Sequence, residues 1–574
     1  MNLSVTFASP HRWLPLVAML AGCAGPSIRS QSPEVESLVQ VEASTKLVGD
    51  YANAWGLAQQ RVENAGLVTG LAGTGSDPPP SAQRQALMAD MQARGVVEPN
   101  RLLASPTTSL VWARGFIPPG ARKGDRFDVV LEVPGDSDTA SLGGGWLMET
   151  RLSEMAVLGN RVRDGHMLAS VEGPVLVDPV SEATRDGVSK LRARIPGGGV
   201  VLVPRQIGLV IAADHRSIAL SKRIGDCINR RFHTVIRGSK RGVATPKTDR
   251  FIELEIPPSY AHSLDRYVRA VRAVAINEPA GRRLERLELL SRQLADPVTA
   301  PNASIRLEAI GKDSVPTLRA ALDSKDPEVR FHAAEALAYL GESTAAEHLA
   351  EAASSFRSVR GAALDALAVL DDANGIDALE GLLDNASAET RYGAFRTLWR
   401  IDPKGPLVRG DRLGDAFSLH VLDVKGPPLV HATRSFRPEI VLFGTDHPLS
   451  EGLRAEAGSS IVVSVEGHSA TVSRFAAGED DRTATVPARV DRVIRAIADL
   501  DGTYADVVQF LQQAKAMRAL PSRLAFDAVP DATTPRSSLH EEAAIGGEAS
   551  KPNDPEARGH RAERSAASGD PSTS

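Results

Sequence analysis

The spacing of apolar residues divides the chain into four stretches with different predicted structure. Short apolar runs bounded by Gly and Pro fill residues 47–275 and predict the strands of a mixed sheet. Residues 276–403 instead place Ala and Leu at helical spacing, and residues 404–530 return to strand-like runs followed by helices. Large aliphatic residues are scarce in residues 531–574, which predicts a disordered tail. The pattern therefore predicts an α+β protein that consists of mixed sheet domains with an inserted all-α solenoid and a small C-terminal α/β piece.

Within this division, individual elements are predicted from periodicity and from turn residues. The predicted helices span residues 81–95, 218–232, 486–500 and 503–519. The clearest predicted strands span residues 127–133, 173–177, 439–443 and 460–465.

A residue pair recurs in phase along the helical stretch. Copies start at Val329, Val359 and Thr390, each followed by Arg, and residues 305–306 resemble a partial first copy. Each unit is predicted to be a helix pair whose Ala/Leu face is buried only by stacking on the next unit. The pattern resembles short HEAT-type repeats, which implies a surface for protein contact. The alternative is that so short an array only braces its neighbours.

The first residues have the pattern of an export signal. Residues 1–12 are polar with a cation, and residues 13–20 form an apolar run far shorter than the roughly 20 residues that span a bilayer. The sequence LAGC then ends at Cys23 and resembles the lipobox of bacterial lipoproteins. We therefore expect a signal at residues 1–22, a lipid on Cys23 and a tether over residues 23–46. The alternative is an ordinary signal peptide.

Composition excludes several classes of protein. The 574 residues include 66 Lys and Arg against 71 Asp and Glu, a net charge of −5, which argues against a protein that is basic throughout and binds nucleic acid. Two cysteines cannot form a disulfide framework. Once Cys23 carries a lipid, Cys227 is predicted to be a small buried apolar residue.

A search for chemistry finds no credible active site. The glycine-rich run GLVTGLAGTGSD at residues 66–77 lacks the lysine of a phosphate-binding loop and leads into three prolines, which have no N–H to donate. The 13 histidines include no pair with metalloprotease spacing, and no nucleophile elbow occurs. We therefore predict no catalytic residue, no cofactor, no metal and no enzymatic activity.

One local charge feature survives this search. Residues 222–250 contain nine Lys or Arg and two Asp, an excess of 9 − 2 = +7. Since an exported protein meets no nucleic acid, an anionic cell-wall polymer, lipid headgroups or an acidic subunit are the candidate partners. The candidate contact residues are Arg230, Arg231, Arg237, Lys240 and Arg241. The alternative is a solvated helix face and loop.

Several dispersed motifs, in the right order, resemble the flagellar P-ring protein family. They are GLVTGLAGTGSD (66–77), PPGARKGDRFDV (118–129), GDSDTASLGGG (135–145), RIPGG (194–198) and the helix over 219–232. A weaker resemblance lies in residues 503–520 and matches the closing helix of the family. The resemblance thus covers roughly half of the chain, with the repeats inserted into a P-ring-like frame.

The resemblance implies a structural subunit that forms a homo-oligomeric ring in the periplasm at the peptidoglycan layer. Its implied partners are copies of itself, the flagellar rod and L-ring proteins, and peptidoglycan, while Cys23 would add anchorage to a membrane, expected to be the outer one. Candidate turn or ring-contact residues are Gly70, Gly73, Thr74, Gly75, Asp77, Pro118, Pro119, Arg122 and Gly124. Neither the lipobox nor the repeats are typical of the family. The alternative function is a non-flagellar envelope lipoprotein that binds peptidoglycan or other envelope proteins.

Overall fold

The fold is described from a computed structural model. It describes residues 45–530, except 159–160, 178–189, 415–416, 477 and 479, together with Leu539. The predicted signal, Cys23, most of the tether and nearly all of the predicted tail lie outside the described residues.

The N-terminal region contains three sheets, one of them the two-stranded hairpin β10–β11, and five α-helices among its described residues. In chain order its elements are α1 (Val48–Tyr51), β1 (Ala52–Trp55), β2 (Gln60–Thr69), α2 (Ala82–Ala93), α3 (Pro99–Leu103), β3 (Ser109–Ile117), β4 (Arg126–Glu132), β5 (Trp146–Leu158), β6 (Arg161–Pro174), β7 (Leu176–Val177), β8 (Arg192–Val201), β9 (Ile207–Ile211), α4 (Ile218–Arg231), β10 (His233–Ile236), β11 (Ser239–Gly242), β12 (Ala244–Pro246), β13 (Phe251–Leu254) and α5 (Leu264–Arg272).

The larger sheet closes on itself. Its strands follow the order β4-β3-β2-β5-β6-β8-β7, and β8 also pairs with β4. Alternate residues fill the interior, as in β4, where Phe127, Val129 and Leu131 are buried. All described pairings in this sheet are antiparallel. The α+β class is thus confirmed, but the expectation of mixed pairing in this region is wrong, because paired strands such as β3 with β4 and β5 with β6 run in opposite directions.

The smaller sheet, ordered β1-β9-β13-β12, carries helix α4. The predicted helix over 218–232 is confirmed: it begins after Ser217, whose side chain accepts a hydrogen bond from the N–H of Leu220. Its apolar face buries Ile224, Cys227 and Ile228. The thiol of Cys227 is 3% exposed, as expected for a small apolar core residue.

The helical repeats occupy the middle of the chain. Their helices are α6 (Ala280–Leu294), α7 (Ala300–Ile310), α8 (Val315–Ala321), α9 (Pro327–Tyr339), α10 (Ala346–Ser355), α11 (Arg360–Leu370), α12 (Ala373–Leu382) and α13 (Ala388–Ile401). The arginine that recurs in phase has a common structural role. Arg330, Arg360 and Arg391 donate to the carbonyl oxygens of Ser324, Ala353 and Leu383, respectively. Each guanidinium therefore satisfies a carbonyl at or just beyond the end of the preceding helix.

The C-terminal region contains two sheets and two helices among its described residues. Its elements are β14 (Gly410–Leu413), β15 (Phe417–Leu422), β16 (Leu429–Ala432), β17 (Glu439–Phe443), β18 (Arg454–Ala457), β19 (Ile461–Glu466), β20 (Ser469–Arg474), β21 (Arg482–Pro487), α14 (Val490–Asp499), α15 (Tyr504–Ala516) and β22 (Arg523–Phe526). One sheet is mixed, in the order β14-β15-β17-β16-β22, and β18 to β21 form an antiparallel sheet. The predicted helix over 486–500 starts later than expected, because residues 486–487 still pair in β21.

One continuous apolar core joins the smaller N-terminal sheet, the repeats and the mixed C-terminal sheet, whereas the closed sheet has a core of its own. The shared core extends from Val48 through the repeats to Phe443 in β17. Within the predicted tail, the described residue Leu539 is buried in the same core, and its N–H donates to Glu328 Oε1 at 3.0 Å. At this position the chain contacts the repeats, in contrast to the disorder expected for 531–574.

Candidate functional site

The glycine-rich loop lies where β2 ends, at one end of the closed sheet. Gly70 and Gly73 have φ of +77° and +78°, a conformation that favours glycine. Gly75 is required for a different reason: its N–H donates to the carbonyl of Pro106 at 2.8 Å, and a Cβ there would lie 2.0 Å from the carbonyl oxygen of Thr108. These glycines therefore serve tight turns and a close backbone approach within the chain.

A second motif segment, residues 135–145, holds this loop in place. The Thr74 hydroxyl donates to the carbonyl of Ser141 at 2.8 Å, and the N–H of Ala140 donates back to the carbonyl of Thr74 at 2.8 Å. Asp77 forms an ion pair with Arg84 at 3.0 Å. The structure thus brings two of the sequence motifs together as one hydrogen-bonded unit.

The motif at 118–129 lies at the opposite end of the same sheet. This follows from the antiparallel pairing of β2 with β3, in which Gln60 pairs with Ile117. Pro118, Arg122 and Gly124 are exposed, whereas Pro119 is half-buried. The N–H of Gly124 donates to the carbonyl of Val201 at 2.8 Å. The nine candidate ring-contact residues therefore form two groups at the two ends of the sheet.

A junction that the sequence did not predict joins the closed sheet to the C-terminal region. Asp128 Oδ1 accepts hydrogen bonds from the N–H of Gly197 at 2.8 Å and from the N–H of Phe436 at 2.6 Å. Burial raises the pKa of Asp128, and these two hydrogen bonds oppose the shift. Both Asp128 and Gly197 stand in the family-like motifs, so the motifs supply the anchor for a loop some 300 residues away.

A second junction, also missed from the sequence, joins α5 to the repeats. The guanidinium of Arg266 contacts Glu308 Oε2 at 2.5 Å and Glu335 Oε2 at 2.6 Å. The Tyr260 hydroxyl donates to the other oxygen of Glu308 at 2.6 Å. Burial opposes the charge on Arg266, but the two carboxylates outweigh burial and raise its pKa. Because all three charged side chains are less than a tenth exposed, each depends on the others for compensation.

The last repeat helix, α13, forms the corresponding junction with the mixed sheet. Arg391 donates through Nη1 to the carbonyl of Pro427 at 2.5 Å, and its guanidinium lies over the Phe443 ring at 4.7 Å. The neighbouring Tyr392 hydroxyl donates to Glu439 Oε1 at 2.6 Å. The repeats therefore bridge the two flanking regions through buried polar contacts at both ends.

His431 gives this junction a pH dependence. Its ring stacks on Tyr392 with centroids 3.7 Å apart, and burial lowers its pKa from 6.5 to about 3. The folded state then binds fewer protons than the unfolded state between these values, so stability falls as the pH drops from 6.5.

From this we expect His431 alone to remove about 2 kcal/mol of stability between pH 6.5 and pH 5, at about 1.4 kcal/mol per pH unit. The His431→Gln variant should show a correspondingly shallower loss in urea unfolding over this range. The exposed His166→Gln variant is the control and should keep the slope of the parent chain. An unchanged slope in His431→Gln would contradict this assignment.

The five basic candidates do not share one environment. Arg231 is half-buried; its Nε donates to the carbonyl of Glu308 at 2.9 Å, and its guanidinium lies 4.6 Å from the centroid of the Phe232 ring. Arg241 forms an ion pair with Glu255 at 2.7 Å. Arg237 and Lys240 are exposed on the β10–β11 hairpin, and Arg230 is exposed at the end of α4. Arg231 therefore belongs to the junction with the repeats, while Arg230, Arg237 and Lys240 keep an open surface.

The part of the chain that the structure describes has no group of three His, Cys, Asp or Glu side chains placed to bind a metal ion. Among the same residues, no helix has the length and apolar character needed to cross a membrane. The glycine loop is held by hydrogen bonds to the carbonyl oxygens of Pro106, Thr107 and Ser141.

Comparison with known proteins tests the resemblance read from these motifs. Residues 48–284 match the family model of the flagellar P-ring protein. The expected resemblance is confirmed. The matched P-ring-like region (residues 48–284) contains all three N-terminal sheets, the glycine loop and helix α5. Residues 285–368 match HEAT repeats, which confirms the repeat assignment as well.

Individual relatives of the chain are also flagellar P-ring proteins. The chain is 27% identical over 233 residues to the flagellar P-ring protein of Photorhabdus laumondii, a match that covers 38% of this chain and 58% of the relative. It is 29% identical over 211 residues to that of Aquifex aeolicus, covering 34% and 52%. The chain thus spans about half the length of the curated relatives it matches. The weaker resemblance at 503–520 lies beyond the matched P-ring-like region and stays a prediction.

Proposed function

We propose that this protein is a structural subunit of a P-ring-like assembly around the rod of the flagellar basal body, in the periplasm. The observation that carries the proposal is the family match over the whole P-ring-like region. The internal hydrogen bonds of the glycine loop support it, because they give the family-like motif a structural use with no ligand. The partners in this proposal are copies of the same chain, the rod and L-ring proteins, and peptidoglycan.

The outer surface of the closed sheet supports contact between copies. Phe116, Val130, Met148 and Met167 are between 40% and 50% exposed on its strands. Burial of exposed apolar side chains against a partner is favourable, by about 25 cal/mol per Å² of apolar surface removed from water. The two motif groups at the ends of the sheet, which include Thr74 and Arg122, would then flank this contact surface.

The function is tested by deleting the gene in its own bacterium. We expect the deletion to abolish swimming in soft agar and the intact gene to restore it, because the flagellar rod would lack the ring that surrounds it. A deletion strain that swims normally would favour the alternative of a non-flagellar envelope lipoprotein that binds peptidoglycan.

We further propose that Cys23 carries a lipid that anchors the assembly, most directly to the outer membrane. The support is the sequence LAGC that precedes the tether. We expect Cys23→Ser to abolish incorporation of labelled fatty acid and to move the protein from the membrane fraction to the soluble periplasm. Cys227→Ser is the matched control, since that thiol is buried, and should leave the labelling unchanged. Labelling of the Cys23→Ser chain would contradict the proposal.

The repeats are proposed to serve protein contact in addition to bracing. The bracing role rests on the buried contacts of Arg266 and Arg391 at the two ends of the array. These contacts hold the array between α5 and the mixed sheet and leave its outward surface for a second basal-body or envelope protein.

A further inference from the structure

After strand β22 the chain runs along the helical repeats. The N–H of Ala528 donates to His431 Nε2 at 3.0 Å, and the His431 ring stacks on α13. Pro530 then packs on two repeat helices. A Cβ on Gly393 in α13 would lie 2.9 Å from the Pro530 ring, and one on Gly361 in α11 would lie 3.7 Å from its side chain. This part of the chain therefore contacts two successive repeats.

Leu539 adds a contact with a third repeat. Its side chain is fully buried in the shared core, and its N–H donates to Glu328 Oε1 at 3.0 Å. Glu328 lies in the first turn of α9. Helices α13, α11 and α9 are equivalent helices of three successive repeats, since each carries a copy of the in-phase residue pair. The contacts from Ala528 to Leu539 thus follow the repeats in order.

The tail (residues 531–574) can make this contact within one chain. Leu539 stands nine positions after Pro530, and nine extended residues span at most about 30 Å. Packed helices lie about 8–10 Å apart, so the step from α11 to α9 is within reach. Leu539 and Ile545 are the two large aliphatic residues of the tail. Because the tail has so few apolar side chains, the buried Leu539 supplies an anchor that its other segments lack.

The strength of this anchor favours a reversible contact. Full burial of one leucine side chain favours the docked state roughly tenfold to hundredfold. The hydrogen bond from the Leu539 N–H to the Glu328 carboxylate adds to this preference, whereas the ordering of the connecting residues subtracts from it. An equilibrium of this size leaves a minor population in which the tail is released, so another chain can compete for the site.

We propose that the repeats have a leucine-binding site at the start of α9, which the chain's own tail occupies reversibly through Leu539. The docked tail masks this part of the repeats. A partner that binds here must present an extended segment with an apolar side chain in place of Leu539. This last step rests on the proposed role of the repeats in protein contact, whereas the docking of the tail does not.

The test uses the purified full chain and a fluorescein-labelled peptide of residues 534–545. In the parent chain, we expect hydrogen exchange over residues 534–545 to be at least tenfold slower than in the free peptide. Leu539→Glu should remove this protection and open the site, so that the peptide binds this variant at least tenfold more tightly than the parent. Val298→Glu is the matched control, because it places the same charge on an aliphatic position that is 83% exposed. It should behave like the parent in both measurements.

Four results would overturn the proposal. The first is exchange over residues 534–545 in the parent that is as fast as in the free peptide, a measurement that needs no variant. The second is the absence of saturable peptide binding to Leu539→Glu and to the milder Leu539→Ala. The third is equal binding of a peptide with Glu in place of Leu539. The fourth is protection that disappears on dilution, which would assign the docked tail to a second copy of the chain. None of these measurements depends on motility, so the ring function stands or falls separately.

Discussion

Replacing Arg266 by Met is expected to lower the free energy of unfolding by about 3–5 kcal/mol. The methionine preserves most of the side-chain volume but leaves Glu308 and Glu335 without their shared cation. Glu308 is fully buried, so its carboxylate has no access to water as a substitute. Urea unfolding followed by circular dichroism measures the loss.

Two further variants make this prediction specific to the buried cluster. The double variant Arg266→Met/Glu308→Gln should recover part of the stability, because it removes a buried charge along with its partner. Arg292→Met, which breaks an exposed pair with Glu288, should cost less than about 1 kcal/mol. If Arg266→Met costs no more than Arg292→Met, the junction between α5 and the repeats does not depend on this cluster.

Replacing Gly197 by Ala is expected to separate the closed sheet from the C-terminal region. Its φ is +58°, and a Cβ would lie 1.8 Å from the carbonyl oxygen of Phe436. The left-handed conformation alone costs about 1–2 kcal/mol, and the backbone clash adds to it, so we expect a loss of about 3 kcal/mol or more. Hydrogen exchange should show faster exchange at the N–H of Phe436, which loses its bond to Asp128.

Gly144→Ala is the control for the effect of conformation alone. Gly144 has φ of +73° in the same sheet region, and a Cβ there would meet no atom within 4 Å. We expect it to cost about 1 kcal/mol and to leave the exchange at Phe436 unchanged. Equal effects of the two variants would mean that contact with Phe436 contributes nothing at Gly197.

Local pattern was enough to predict the helices and the repeats. Helix α4 was predicted because its apolar face recurs at helical spacing, and the repeats were predicted because Val329 and Val359 begin units that recur in phase. Both patterns are local, because each is formed by residues close together in the sequence. The recurring arginine was visible in the sequence, but its hydrogen bond to a carbonyl near the end of the preceding helix was not predicted. Sequence spacing does not show which carbonyl oxygen a guanidinium group will reach.

The junctions could not be predicted in this way. Asp128 and Phe436 are joined by a hydrogen bond across 308 positions, and nothing in the sequence around either residue points to the other. The closure of the large sheet through the pairing of β4 with β8 likewise depends on strands far apart in the chain. The expectation of mixed pairing failed for this reason: strand-like runs indicate strands, but their direction and order follow from long-range packing.

The candidate site shows the same division. Glycines at 70, 73 and 75 indicated turns or close backbone approach, and the structure places both uses inside one chain. The basic stretch predicted one surface for an anionic partner, yet Arg231 and Arg241 are occupied by contacts with Glu308 and Glu255. The count of charges along the sequence overestimated the number of exposed cations available to a partner. The carboxylate and carbonyl groups that contact Arg231 and Arg241 belong to elements distant in the sequence, so the count did not include them.

The central claim is that this chain forms part of a ring around the flagellar rod, and labelling of isolated basal bodies tests it most directly. Basal bodies purified from the native bacterium are to be incubated with a gold-conjugated antibody against residues of the repeats and imaged by negative-stain microscopy. We predict gold at a single ring between the two membranes, and no such gold on basal bodies from the deletion strain. Basal bodies that carry all their rings without label would contradict the account.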